Sequence, residues 1–171
     1  MTRLVPFYAC ILIMLSSLPA QALDTIIQYS GRITPETCFV QAASNSQRID
    51  MGEFSVADFL KAGDVSAAKP FSIVLERCSA GINAAKVTFS GTLNQNDRQL
   101  IALTAGSDTA RGIGIELLNA AGQRIVPGTQ VRHPVSPGSA TLSYSLRYRA
   151  TGTAVGAGSA NAVILFDVDY E

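Results

Sequence analysis

The sequence lacks tryptophan and contains a single histidine, His133. An enzyme needs a positioned acid, base or nucleophile, and His133 stands in the proline-flanked segment "VRHPVSPG", where we interpret it as a solvated loop residue. Aromatic residues form only 7% of the chain, which disfavours a sugar site built on stacked rings. The sequence therefore predicts a protein that is not an enzyme.

The chain also has no excess of positive or negative charge, since it contains 13 basic and 13 acidic residues. A neutral chain has no electrostatic attraction for nucleic acid or for an anionic membrane surface. Asp167 and Asp169 alternate on the outward face of the last predicted strand, which is the ordinary pattern of a solvated strand rather than of a metal site. "GIG" before Ile115 has no lysine or helix start after it, as a phosphate loop requires. We predict no cofactor and no metal.

The first 22 residues have the pattern of a secretion signal. Arg3 supplies a positive charge, and the apolar stretch that follows is too short for a good membrane span. Ala20-Gln21-Ala22 has the small-x-small form of a signal peptidase site, so we expect cleavage after Ala22. A retained membrane anchor is the alternative. Cys10 lies inside the apolar stretch, which does not fit a lipoprotein.

Removal of this signal leaves two cysteines, Cys38 and Cys78. Two cysteines in an exported chain most simply form one disulfide. The loop that it closes has about 40 residues, which in the chain-entropy model stabilises the fold by roughly 4 kcal/mol. Free thiols or a metal site are the alternatives, and a metal site would need further cysteine or histidine ligands nearby.

The remaining residues, 23–171, suit one domain with a sizeable core. Short alternating or apolar runs are separated by glycine, proline, asparagine, serine and aspartate, which predicts an all-β sandwich. The runs cover 48–54, 69–78, 85–93, 99–104, 112–119, 123–129, 140–152 and 161–171. One helical turn is predicted, at 56–63.

The two ends of this region pose a question of strand pairing. "LDTIIQYSGRI" (23–33) alternates cleanly, and the last run places Ile164, Phe166, Val168 and Tyr170 on one face. An uncovered apolar sheet edge is an aggregation hazard. Either the segment 23–33 covers the edge of its own domain, or another protein covers it.

Several fragments occur together in one order. They are "SGRI" with Cys38 seven residues after its glycine, "PFSIVLERC", "KVTFSGTL", "GIGIELLN", "SLRYRATG", "VGAGSANA" and a penultimate Tyr170. Through them essentially the whole of 23–171 resembles the type 1 fimbrial subunits of the chaperone–usher pathway. The resemblance implies an incomplete immunoglobulin-like β-sandwich that lacks its last strand, here as a pilin domain at 34–171.

The resemblance also implies how such a domain is completed. A periplasmic chaperone lends a strand, and the N-terminal extension of the next subunit then replaces it, a mode known as donor-strand complementation. Segment 23–33 would be the donor strand. Its inserted residues would be Thr25, Ile27, Tyr29, Gly31 and Ile33. The acceptor groove would consist of Ile164, Phe166, Val168 and Tyr170, with the C-terminal carboxylate of Glu171 anchored by the chaperone.

The implied partners are a periplasmic chaperone, an outer-membrane usher and neighbouring fimbrial subunits, among them the tip adhesin. The implied location is a surface fimbria reached through the periplasm. Only eight residues (23–30) precede Gly31, which resembles minor tip or adaptor subunits more than the rod pilin of the same family. The alternatives are that rod pilin, or a self-sufficient secreted β-sandwich that binds a small ligand or sugar.

Overall fold

The computed structural model describes residues 30–31, 37–152 and 154–171. The chain divides into two compact units, Met1–Thr34 and Pro35–Glu171. All of the described helices and strands lie in the second unit. The predicted signal sequence (1–22) lies outside the described residues. No helix in the described ranges has the length and apolarity needed to cross a membrane.

The described residues of the second unit form eight strands and two short helical segments. In chain order these are β1 (Phe39–Val40), α1 (Ala42–Asn45), a 3-10 helix (Val56–Asp58), β2 (Lys69–Cys78), β3 (Ala84–Ser90), β4 (Ile113–Asn119), β5 (Arg124–Ile125), β6 (Gln130–Pro134), β7 (Gly138–Ala150) and β8 (Leu165–Tyr170). Five strands form one sheet in the order β1-β2-β7-β4-β5, and three form the other in the order β6-β3-β8. Every strand pairing is antiparallel. The predicted all-β sandwich is confirmed.

The core lies between the inward faces of the two sheets. On β7, alternate residues from Leu142 to Tyr148 are at most 6% exposed, as the period-2 pattern predicts. An aromatic cluster joins the sheets: the ring of Tyr144 stands edge-on to that of Phe89 at 4.9 Å and stacks on that of Phe71 at 5.4 Å. Aromatic pairs in these geometries add stabilisation beyond their buried area.

Two predicted strands are wrong. Residues 48–54 form no strand, although Met51 is buried and Phe54 packs edge-on against Tyr148 at 5.8 Å. Residues 99–104 make only isolated bridges through Ile101. Both segments cover the sandwich with their apolar side chains instead of extending a sheet. Apolar residues that serve as such covers give the same local pattern as a buried strand.

The segment around residue 100 covers β4, and this explains the residue composition of that strand. β4 is buried on both faces over 113–118, and a Cβ atom added at Gly114 would lie 3.0 Å from Cβ of Leu100. A side chain at position 114 would therefore require the chain at residue 100 to shift by a few tenths of an ångström. The predicted helical turn at 56–63 corresponds to the 3-10 helix, which begins at a Ser55 capping box.

The predicted disulfide is confirmed: Cys38 and Cys78 are bonded, and both are buried. It joins the residue before β1 to the last residue of β2. A bulge between Glu76 and Cys78 places Arg77 at a φ of 53°. The guanidinium carbon of Arg77 lies 4.2 Å from the ring centroid of Phe39.

Candidate functional site

Strand β8 forms an edge of the three-stranded sheet. It pairs with β3 in a regular register, with Val168 opposite Val87 and Phe166 opposite Phe89. On its other side no strand of the described residues pairs with it. Half of the backbone N–H and C=O groups of β8 therefore point away from the sheet, as in any edge strand.

The inward side chains of β8 are only half buried. Ile164, Phe166, Val168 and Tyr170 pack against the core, while the exposed residues alternate with them. On the neighbouring strand β3, Val87 and Phe89 are 0% and 1% exposed. We call the four inward residues together with the open backbone of the strand the β8 edge. Its apolar side chains are covered on the side of β3, and on the other side no strand of the described part of the chain covers them.

The floor of the β8 edge is aromatic. The ring of Phe166 lies 6.5 Å from that of Phe89, which belongs to the cluster that joins the two sheets. Burial raises the pKa of Tyr170 above its ordinary value. The outward neighbours Asp167 and Asp169 are exposed, and Asp169 accepts a hydrogen bond of 3.3 Å from Gln130. The predicted alternation of this strand is thus confirmed residue by residue.

The C-terminal residue ties the end of β8 to β3. The backbone oxygen of Glu171 accepts hydrogen bonds from the N–H groups of Asn83 at 2.6 Å and Ala84 at 3.1 Å. Its side chain pairs with Lys86 and, at 3.1 Å, with Arg132. The hydrogen bonds from Lys86 and Arg132 lower the pKa of the Glu171 carboxyl. Glu171, at the end of β8, thus makes contacts that connect β8 with both β3 and β6.

The segment before β8 is tied down by close backbone contacts. Ser159 bridges to Thr109, and Gly156 bridges to Arg111. Gly158 has a φ of 154°, and a Cβ atom there would lie 2.5 Å from the carbonyl oxygen of Asp108. Only glycine fits such a position. The small residues of "VGAGSANA" therefore fix where β8 begins.

The predicted donor residues Thr25, Ile27, Tyr29 and Ile33 lie outside the described residues. Gly31 is described, but it belongs to the first unit of the chain. The donor role of segment 23–33 therefore stays a prediction.

The interpretation of His133 as a solvated loop residue is wrong. His133 lies in β6 opposite Ala85 of β3, and it is half buried. Its Nε2 atom lies 2.7 Å from the hydroxyl oxygen of Tyr144, so a hydrogen bond connects the two sheets. Burial lowers the pKa of His133 and raises that of Tyr144. The neighbouring Pro134 had indicated a loop, but it is compatible with a strand. It stands at the end of an edge strand, a position that proline tolerates.

We expect His133 to make the domain less stable in mild acid. Because its pKa is lowered in the fold, the unfolded chain binds a proton more readily, and stability falls as the pH drops through the ordinary value of about 6.5. An NMR titration of the single histidine should give a pKa below 6.5. His133→Gln should flatten the dependence of stability on pH between 7.5 and 5.5, and an unchanged slope would contradict this assignment.

A buried charge cluster was not predicted. Glu116 on β4 is 1% exposed, and its carboxylate pairs with Arg124, with Arg147 at 2.6 Å and with Arg149 at 3.5 Å. Burial by itself raises the pKa of Glu116, but hydrogen bonds from Arg147 and Arg124 outweigh it, so that the pKa lies below its ordinary value. The feature of the sequence that could have indicated this cluster is a lone carboxylate inside the apolar run "GIGIELLN".

One further concavity, of about 420 Å³, lies between the loops around residues 92–96 and 102–113. Polar groups such as Asn94, Thr109 and Arg111 line it, and its lining contains no aromatic side chain. It therefore offers no ring on which a sugar could stack.

Comparison with known proteins gives a consistent result. The family model described as "Fimbrial protein" matches residues 27–171. The fimbrial-like protein YcbU of Escherichia coli (strain K12) is 36% identical over 146 residues, which cover 82% of this chain and 81% of the relative. The fimbrial subunit type 1 of Salmonella typhimurium is 32% identical over 159 residues, covering 90% and 86%.

Among solved structures, the P pilus rod subunit PapA superposes with a TM-score of 0.65 at 27% identity. The match covers 78% of this chain and 99% of the PapA chain. Together with the two antiparallel sheets and the single disulfide, it confirms the predicted immunoglobulin-like pilin fold.

Proposed function

Since the chain belongs to the fimbrial protein family, we propose that it joins its fibre by donor-strand complementation at the β8 edge. As a member of that family it is a structural subunit of surface fimbriae and not an enzyme. In the proposed mechanism, the apolar alternation of segment 23–33 of one subunit completes the sandwich of the next.

The half-burial of the inward β8 residues carries this proposal. On β3 and β7, each of which has a neighbouring strand on both sides, the inward residues are buried. On β8, which within the described part of the chain has a neighbouring strand only on the side of β3, they are half buried. An added strand would satisfy the open backbone groups and bury the uncovered apolar surface, which gains roughly 25 cal/mol for each Å².

The numbers of residues on the two strands agree. Residues 162, 164, 166, 168 and 170 face inward and are half buried, and the proposed donor offers five alternate positions, from Thr25 to Ile33. In an antiparallel pairing Gly31 would face Ile164, and Tyr29 would face Phe166. A slip of one residue would turn Gln28 and Arg32 into the apolar groove, which disfavours that pairing.

The same open edge requires protection before assembly. An exposed apolar strand invites aggregation, and a periplasmic chaperone that lends its own strand would prevent it. The usher would then be the place where the donor segment of the next subunit replaces the chaperone. These partners follow from the proposed mechanism and from the export implied by the predicted signal.

For the place in the fibre, the eight residues before Gly31 favour a minor tip or adaptor subunit that supports adhesion. The similarity to PapA, described as a rod subunit, favours the rod as the second candidate. Immunogold labelling of fibres would separate the two: a minor subunit labels fibre ends, and a rod subunit labels the length.

The first test of the mechanism is the periplasmic yield of the full chain with and without a co-expressed fimbrial chaperone. We expect degradation of the chain alone and recovery as a one-to-one complex with the chaperone. A soluble monomer that melts cooperatively without a chaperone would contradict the proposal. A self-sufficient binder of a small ligand would then become the better explanation.

Replacing Ile27 with aspartate should block incorporation into fibres. In the proposed register its carboxylate would be buried without a partner, a cost of several kcal/mol, and donor binding should weaken by more than about 100-fold. Binding of the variant to the chaperone should be unchanged, because the chaperone contacts the β8 edge and not the donor segment. Pull-down with the chaperone and counting of subunits in sheared fibres measure the two effects.

The matched control is Gln28→Asp, one residue along the chain and on the outward face. It introduces the same charge and should assemble normally. Equal loss in both variants, or an equal loss of chaperone binding, would contradict the assignment of segment 23–33 as the donor.

A further inference from the structure

We propose a second contact between neighbouring subunits, in which Phe39 and Arg77 of one copy pack on Val163, Leu165 and Asp167 of the copy whose β8 edge it fills. The occupant of this surface is a second copy of this chain, so the contact forms where copies follow one another, as they would in the rod, the second candidate position given above. The inference rests on the proposed strand exchange and adds a docking surface outside the groove.

The receiving surface is an apolar patch at the start of β8. Val163 is 68% exposed and Leu165 is 61% exposed, although both alternate with inward residues and so occupy outward positions. Outward positions farther along the strand carry Asp167 and Asp169, as expected for a solvated face. The patch therefore consists of two apolar side chains followed by carboxylates, and it borders the β8 edge directly.

The complementary surface lies at the beginning of the domain. Phe39 is 48% exposed, and the exposed Arg77 lies over its ring. Among the described residues no carboxylate lies within ion-pair distance of Arg77. Phe39 on β1 and Arg77 on β2 are each adjacent in sequence to a cysteine of the disulfide. The result is an exposed aromatic ring with a positive charge beside it.

The polarity of the exchange brings these two surfaces together. The named strands of the described residues all pair antiparallel, and a strand added to β8 in the antiparallel direction would run from the Tyr170 end towards Ile164. The chain that follows Ile33 then leaves the groove beside Val163 and Leu165. Five residues (34–38) separate Ile33 from Phe39, and the six Cα–Cα steps between them span at most about 20 Å. Phe39 of the donor copy must therefore lie within that distance of the patch.

The chemistry of the two surfaces matches. The ring of Phe39 can bury Val163 and Leu165, and the guanidinium of Arg77 has the charge that Asp167 attracts. The two surfaces are different parts of the same chain, so the contact is head-to-tail, the type of contact from which open fibres are built. It would fix the angle between successive subunits, which strand exchange alone does not specify.

The test places a photoreactive benzoylphenylalanine at position 165 of the full chain. The variant is expressed with its chaperone and usher, and surface fibres are irradiated. We expect a cross-linked pair of copies, with the bond mapped by mass spectrometry to a peptide that contains Phe39 or Arg77. The matched control carries the same group at Leu60, an apolar residue that is 75% exposed outside the patch. A bond to other peptides, or a yield no higher than that of the control, would overturn the inference.

Charge reversal gives a second readout. Arg77→Glu should slow subunit addition roughly twofold to fivefold, the range of an exposed charge pair, and Arg77→Glu combined with Asp167→Arg should restore it. Absence of rescue would overturn the role of Arg77.

A synthetic peptide of residues 23–33 tests strand exchange independently of the docking surface. It contains the proposed donor strand but lacks Phe39. If the peptide fails to bind the domain, strand exchange is wrong and the docking surface with it. If the peptide binds but the cross-link is absent, only the docking surface is wrong.

Discussion

Replacing Glu116 with alanine should lower the free energy of unfolding by about 3 kcal/mol, because removal of one partner leaves buried charges without compensation. Three arginine side chains from β5 and β7 converge on this carboxylate, which is 1% exposed. The guanidinium groups are about a quarter exposed, so water compensates part of the loss. Urea unfolding of the chain saturated with the 23–33 peptide measures the change, since the contribution of the peptide cancels between variants.

The matched control is Glu53→Ala, which removes an exposed carboxylate and should change stability by less than about 0.5 kcal/mol. If the two variants unfolded at the same urea concentration, the cluster around Glu116 would have no role in holding β4, β5 and β7 together.

The same carboxylate predicts how the domain responds to acid. Its pKa is lowered in the fold, so its stabilising effect is complete above the ordinary value near 4.5 and is lost as the pH falls through the lowered value. Glu116→Gln should therefore lose less stability than the natural chain below pH 4.5. A parallel acid dependence in the two proteins would show that other carboxylates dominate.

Removing the disulfide should have an effect of similar size. In the chain-entropy model, Cys38→Ala with Cys78→Ala should cost roughly 4 kcal/mol, since the bond closes a loop with a sequence separation of 40. For a domain with one uncovered edge, this loss should reduce the periplasmic yield sharply. Quantitative blotting of periplasmic extracts measures the yield, and urea unfolding measures the stability.

Reduction of the natural chain provides the control. A reducing agent should shift its unfolding transition towards that of the double alanine variant and should leave the variant unchanged. An unshifted natural chain, with the bond shown to be broken by thiol counting, would contradict a stabilising role for the disulfide.

The sequence by itself determined the strands with a clear period of two. Alternation is a property of the extended backbone, so "KPFSIVLERC" defined β2 to the residue, and the faces of β7 and β8 followed from the same pattern. Cys38 and Cys78, the two cysteines outside the predicted signal, left one simple pairing. The apolar face of the terminal strand, and hence the candidate site, could also be predicted from local pattern.

Tertiary structure alone decided which side chains meet across the sandwich. Glu116 is balanced by arginines up to 33 residues away in sequence, and His133 reaches Tyr144 because β6 and β7 lie in different sheets. The half-burial of β8 likewise depends on which strands pair with it. Such contacts depend on strand order and register, which arise from packing over the whole chain. Periodicity within one segment specifies a face for burial, but only the packed sheets determine what covers it.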